Sequence, residues 1–199
     1  MHPAFAFHWT DRAAIRDFVR AQPFGALFAA TPDGPRVVHL PAVWEGDDCL
    51  AFHVGRGNGI AKHLDGATAL FTAFGPESYI SPDWYGEGPA GVPTWNYVAV
   101  ELEGTVAAMD EDGLRRHLAQ LGDEQEARLP KQPWRLDKVD PAVVAKLLRA
   151  ITGYSMTVTA WRGTFKMNQN KSPEARFAAA NALDILGRRS VAALMRSAA

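Results

Sequence analysis

Cysteine is nearly absent from this chain. Cys49 stands alone among 199 residues, so no internal disulfide can form, and a reducing compartment is the expected setting. It sits in the apolar run CLAFHV, where it reads as a buried small hydrophobe rather than a nucleophile. An excess of charge of either sign is also missing. Lys+Arg number 21 and Asp+Glu 22, leaving a formal net charge of −1. Phosphate neutralisation needs a basic face, so nothing global points to a nucleic-acid partner, although a local basic patch stays open. No apolar stretch approaches the ~20 residues of a membrane span. The opening MHPAFAFHWTDR lacks both the basic segment and the long apolar stretch of a signal peptide. A soluble, cytoplasmic chain with no membrane partner is expected. The histidines at 2, 8, 39, 53, 63 and 117 form no HxH or HxxxH pair, so no metal site is expected. No GxGxxG marks a strand-to-helix turn, and no repeat or low-complexity segment appears.

Aromatic residues, by contrast, are concentrated. Tyr79 to Val100 reads YISPDWYGEGPAGVPTWNYVAV, with Tyr79, Trp84, Tyr85, Trp95 and Tyr97 interleaved with Pro82, Pro89 and Pro93. Surface loops carry function more often than scaffold does. A proline-stiffened aromatic loop feeding a strand suits a wall against a flat ligand or against another subunit.

With 47% hydrophobic and 22% charged residues the composition is that of a globular chain with a full core. Thr10 is the expected N-cap of a helix over 11–21. Strands are expected at Gly25–Thr31, Arg36–Glu45 and Cys49–Val54, joined by short turns into an antiparallel meander. A short helix at Ile60–Leu64 and a strand at Ala67–Gly75 follow. After the aromatic loop come a long strand at Thr94–Met109 and a helix at Asp110–Leu129, with Leu114, Leu118 and Leu121 on one side. Asp140-Pro141 opens a helix to Ala150, and Ser172-Pro173 opens another that Gly187 ends or kinks. Tyr154–Trp161 and Thr164–Asn170 are expected to form a hairpin around Arg162-Gly163. About seven strands with helices on the flanks predict a mainly β, α+β chain built as a barrel or sandwich, and not a Rossmann sheet.

Three groups of residues invite chemistry. The stretch His53-Val54-Gly55-Arg56-Gly57-Asn58-Gly59-Ile60-Ala61-Lys62 runs from strand through glycine turn to helix start. Bare backbone amides, a helix N-terminus, Arg56, Lys62 and the Asn58 amide together suit a phosphate; the alternative is a glycine-rich loop with two solvated cations. His39 faces away from Val38 and Leu40, as a ligand residue or a structural one, and Pro41 marks an edge or bulge there. Trp95 and Tyr97 share one strand face and Asn96 takes the other, so the two aromatics form an interior pair or a subunit interface. Lys166, Asn168, Gln169 and Asn170 are poor strand filling; they are an exposed strand end or donors to a polar ring system. Glu101 and Glu103 read as solvent-facing strand residues. Arg188, Arg189 and Arg196 with Val191, Leu194 and Met195 form a basic amphipathic tail, read as dimer packing or a frayed end in preference to a DNA contact.

PFGAL (Pro23–Leu27), VHLPAVW (Val38–Trp44), HVGRGN (His53–Asn58), YISPDWY (Tyr79–Tyr85), VPTWNYVAV (Val92–Val100), ITGYSMTV (Ile151–Val158) and FKMNQN (Phe165–Asn170) occur in one order. Together, over roughly residues 1–185, they resemble the PaiB-type FMN-binding proteins, described as negative transcriptional regulators. The resemblance implies an FMN-binding split β-barrel, the fold of the pyridoxamine phosphate oxidases, in homodimers with flavin sites at the subunit interface. A split-barrel domain with helical flanks is expected over 1–187, and the basic helical tail over 188–199. The family's FxFxxxxxxxxxKxL pattern matches loosely from Phe52 to Lys62 and Leu64. Arg56, Asn58 and Lys62 would hold the FMN phosphate. His39 and Leu40 would line the flavin ring, and His53, with Val54 beside it, the ribityl chain. Trp95, Asn96, Lys166, Gln169 and Asn170 would come from the partner chain or close the pocket. Two departures stand out. Gly59-Ile60 replaces the proline that usually follows this turn, which softens it. The segment Gly122–Gln125 lacks the histidine expected beside Glu126.

The expected function is therefore an FMN-binding regulator or flavin sensor of PaiB type, with DNA as a partner on the family description alone. A flavin-dependent oxidoreductase acting on a small molecule is the alternative. A haem-binding split barrel and a dimeric scaffold without cofactor are further readings.

Overall fold

The computed structural model describes residues 1–86 and 91–198. Pro89 of the aromatic loop lies outside the described residues. In chain order the strands are β1 (His8–Trp9), β2 (Phe24–Thr31), β3 (Gly34–Trp44), β4 (Cys49–Gly55), β5 (Thr68–Ile80), β6 (Thr94–Ala108) and β7 (Ile151–Lys166). The α-helices are α1 (Arg12–Ala21), α2 (Glu111–Glu126), α3 (Pro141–Arg149), α4 (Pro173–Ile185) and α5 (Arg189–Ser197). One sheet runs β1-β7-β4-β3-β2-β5-β6, and β6 also pairs with β7. That closing pair is what turns an antiparallel meander into a barrel.

Alternation along the strands sets the core. In β2–β4 the ladder pairs Gly25 with Leu40 and Phe28 with Val37, and β3 passes to β4 only from Ala42 onward. Pro41, which has no N–H to give, stands at that handover. Two compact units divide the chain. Arg16–Ala73 and Leu102–Trp161 form one, with Leu27, Leu50, Phe52, Phe71, Leu102 and Met156 fully buried. Phe52 stacks on Tyr154 at 5.7 Å between ring centroids, and Trp44 stacks on Trp161 at 5.1 Å. Met1–Ile15, Phe74–Glu101 and Arg162–Ala199 form the other, where Ile15, Ile80, Met167, Leu183 and Met195 are fully buried. Within it α5 packs on α4 through Val191, Ala192 and Met195, so the apolar stripe of the tail is covered.

Four expectations need correction. Asp11, not Thr10, caps α1: its carboxylate accepts the N–H of Ala13 and of Ala14. β5 continues through Gly75-Pro76 to Ile80, because strand pairing outweighs local turn preference there. α2 stops at Glu126. The expected hairpin around Arg162-Gly163 does not exist, since β7 runs unbroken. Gly163 pairs with Trp9, and a Cβ there would sit 2.7 Å from the Trp9 carbonyl oxygen. This glycine serves close strand approach, not a turn.

A candidate phosphate turn and a buried histidine pair

β4 delivers the chain into the turn Gly55–Gly59. Gly55, Gly57 and Gly59 have no left-handed φ, and nothing lies within 4 Å of where a Cβ would stand on any of them. Neither backbone conformation nor internal packing demands glycine at these positions; what the three share is bare backbone facing open space. Four amides of the segment are used internally: Arg56 N–H donates to Ala150, Asn58 N–H to Gly55, Ala61 N–H to Asn58, and Ile60 N–H to the Asn58 side chain. Among the described residues the N–H groups of Gly57 and Gly59 find no acceptor within the chain. Arg56 is exposed, and its Nε donates to the Ile151 carbonyl at 3.1 Å, which fixes the stem and leaves both terminal nitrogens clear among the described residues. Lys62 is exposed and carries no ion pair among the described residues. The expected helix start is a single 3₁₀ turn, Ala61–His63. So short a segment supplies little dipole, and the positive field comes from the two side chains and two amides. Such a donor set fits a phosphate monoester. The fit to FMN therefore holds at its phosphate end.

His53 precedes this turn and does not stand alone. Its Nδ1 lies 3.0 Å from Nε2 of His117 on α2, with ring centroids 5.3 Å apart. His117 is fully buried and its Nδ1 has no partner among the described residues. An orphaned buried N–H costs more than an orphaned lone pair, so the network assigns the bridging proton to Nε2 of His117. Nδ1 of His53 then accepts, and His53 carries its own proton on Nε2. Burial, and secondarily the neighbouring imidazole, push the His117 pKa down to about 4. Burial also lowers that of His53. Sequence reading missed His117. The signal was its spacing: it falls three residues after Leu114 and one before Leu118, on the helix face that the leucines mark as inward.

The remaining expected residues divide by burial. His39 is exposed, as Val37 is, while Leu40 and Val54 belong to the core. In the other unit Trp95 is 50% exposed and packs edge-on against Tyr79, its indole N–H donating to Glu77. Asn96 points the other way, is fully buried, and leaves both amide atoms without partners among the described residues. Lys166 donates to the Thr94 hydroxyl at 2.7 Å and lies over the Phe7 ring; burial lowers its pKa. Gln169 turns inward, accepting from Met167 N–H and donating to the carbonyls of Ala6 and Phe165. Asn170 is exposed. Asn168, in the left-handed region at φ 59°, donates to the buried Tyr85 hydroxyl of the aromatic loop at 2.9 Å. Cys49 is half-buried, and desolvation raises its thiol pKa, which suits an inert side chain. No cluster of three or more metal-ligating side chains occurs among the described residues. No helix among them is long and apolar enough to cross a membrane.

Known proteins are similar to this chain in sequence and in fold. The family model described as "Putative FMN-binding domain" matches residues 1–160. The chain is 28% identical over 170 residues to the Bacillus subtilis protein named protease synthase and sporulation protein PAI 2, covering 83% of this chain and 81% of that one. Among solved structures, the flavocytochrome Anf3 of Azotobacter vinelandii superposes with a TM-score of 0.60 at 17% identity, covering 83% of this chain and 72% of that one. An FAD- and heme-binding protein of Mycobacterium smegmatis superposes with a TM-score of 0.59 at 18% identity, covering 80% and 73%. At such identities the likeness speaks for the fold alone, an antiparallel split barrel with flanking helices. The chain belongs to the PaiB-type family of FMN-binding proteins.

Proposed function

We propose that this protein is a homodimeric, cytoplasmic flavin sensor or negative regulator that grips the FMN phosphate at Arg56, Asn58 and Lys62. The observation that carries the reading is the Gly55–Gly59 turn and Lys62 beyond it: among the described residues, two unused amides and two cations without an ion pair, immediately after a barrel strand. Bound FMN supplies reversible redox chemistry. The protein's part is to hold it. His39 and Leu40 border the ring, Val54 backs the strand that leads to the phosphate, and His53 offers Nε2–H to the ribityl chain. Trp95, Asn96, Lys166, Gln169 and Asn170 come from the partner copy or close the pocket.

Exposed Phe74, Tyr79, Val92 and Trp95 support a dimer, being the apolar and aromatic side chains that interfaces favour. The name of the Bacillus relative, tying it to protease synthesis and sporulation, supports regulation. Arg196 is engaged by Asp184 and Asn181, so a DNA contact at the tail falls to Arg188 and Arg189. The absorbance spectrum of protein as isolated is the first test: flavin bands support the reading, a Soret band supports haem, and a colourless protein that ignores added FMN refutes both. Anaerobic NADPH then separates roles. Bleaching marks an enzyme, and retention of colour together with a gel shift marks a regulator.

A further inference from the structure

An apolar cavity of about 280 Å³ is walled by Leu118 of α2, Trp134 and Leu136 of the connector, Val144 and Leu147 of α3, and Ile151 at the start of β7. No charged side chain lines it. Trp134 is 44% and Leu147 59% exposed, so the rim opens to solvent. An apolar cavity of ~150 Å³ already admits benzene, so this one holds one or two fused rings. A charged ligand would lose its hydration without compensation. A second copy of the chain would meet the rim without filling the interior.

The cavity is wired to the phosphate turn. Leu148, on its floor, also borders a neighbouring cavity of about 210 Å³ that Arg56 lines. The Leu147 carbonyl accepts the N–H of Ala150 at 3.0 Å, and the Ala150 carbonyl accepts the N–H of Arg56 at 2.8 Å. Ile151 both walls the cavity and takes the Arg56 guanidinium on its carbonyl. The last turn of α3 is thus two hydrogen bonds from the cation expected to hold FMN.

We propose that this cavity is an effector site for a small uncharged one- or two-ring molecule, and that filling it shifts the end of α3 and changes the grip of the Arg56 turn on FMN. The coupling rests on the phosphate placement given above; the binding does not. Linkage makes the effect reciprocal, with a typical coupling of about 5–150-fold in affinity.

Indole serves as the probe. Calorimetric titration of flavin-free protein with indole should give saturable one-to-one binding with a negative heat-capacity change, the mark of buried apolar surface. Val144→Trp, which fills the cavity, should weaken indole at least tenfold (by the tenfold-per-1.4 kcal/mol scale, about 1.4 kcal/mol). Leu118→Phe fills it from the opposite wall and decides the matter should the first variant not fold. FMN affinity should shift at least about fivefold when indole saturates, and in the same direction in the filled variants without indole. Absence of saturable binding, or binding that both variants leave intact, overturns the site. Binding with unchanged FMN affinity overturns the coupling. Filled variants that alter sedimentation while indole fails to bind make the cavity a contact between copies, which also overturns it. If FMN itself never binds, the proposed function fails, while the flavin-free indole titration still decides the site.

Discussion

Acidification from pH 8 to pH 4 perturbs the His53–His117 pair in a way whose size follows from the structure. His117 is fully buried, bridged at 3.0 Å to another imidazole, and titrates near 4 in the fold. In the unfolded chain it titrates near 6.5. Between these values the unfolded state binds a proton that the native state refuses. Stability is therefore complete above about pH 6.5 and falls as pH drops through that value toward about 4. At ~1.4 kcal/mol per pH unit, the loss from His117 is about 2 kcal/mol at pH 5 and about 3 kcal/mol at pH 4. The folded pKa values of Glu101, Glu126 and Glu174 are lowered, so carboxylates contribute their own loss mainly below about pH 4.5. The window from pH 6.5 to 5 consequently reports the histidines. Urea unfolding at half-unit steps reads the slope, and His117→Leu should flatten most of it while leaving the slope below pH 4.5 in place. An equal slope in wild type and variant across that window would refute the buried neutral pair.

Further outcomes are expected elsewhere. Gly163→Ala drives a Cβ to 2.7 Å from the Trp9 carbonyl and should cost about 1–3 kcal/mol, a fall of several degrees in melting temperature. Gly122→Ala, in α2 with nothing near the new methyl, should instead stabilise by about 0.5–1 kcal/mol; a loss there would contradict the open surface. Asp11→Ala removes the acceptor of two helix amides and should cost about 1 kcal/mol by thermal melt, whereas Thr10→Ala should cost far less. Trp95→Ala should weaken self-association measured by sedimentation equilibrium, and an unchanged dimer would remove that surface from the interface.

The barrel was legible where turns and alternation agree. Strands Gly25–Thr31, Arg36–Glu45 and Cys49–Val54 emerged with ends shifted by only a residue or two, because each is bounded by a short polar turn. The count of seven strands also survived, but with different members: β1 is two residues long and too short to show periodicity, and β7 was split at Gly163. A glycine in a strand reads identically whether it bends the chain or admits a neighbour, and only the partner strand tells which. The site shows the same limit. Arg56, Asn58 and Lys62 were visible because glycines and cations cluster within seven residues of sequence. His117 was not, because its partner is 64 positions away. The family resemblance supplied the flavin; composition alone did not.

The central claim is that the Gly55–Gly59 turn with Arg56 and Lys62 holds a flavin phosphate. Fluorescence titration with FMN and with riboflavin, which lacks the phosphate, tests it in wild type and in the Arg56→Ala/Lys62→Ala variant. Charge-assisted hydrogen bonds are worth ~1.5–3 kcal/mol each and less at an exposed site, so the pair should cost on the order of 10²-fold in FMN affinity. Riboflavin affinity should hardly move. FMN affinity equal in the two proteins, or a matching loss for riboflavin, would contradict the account.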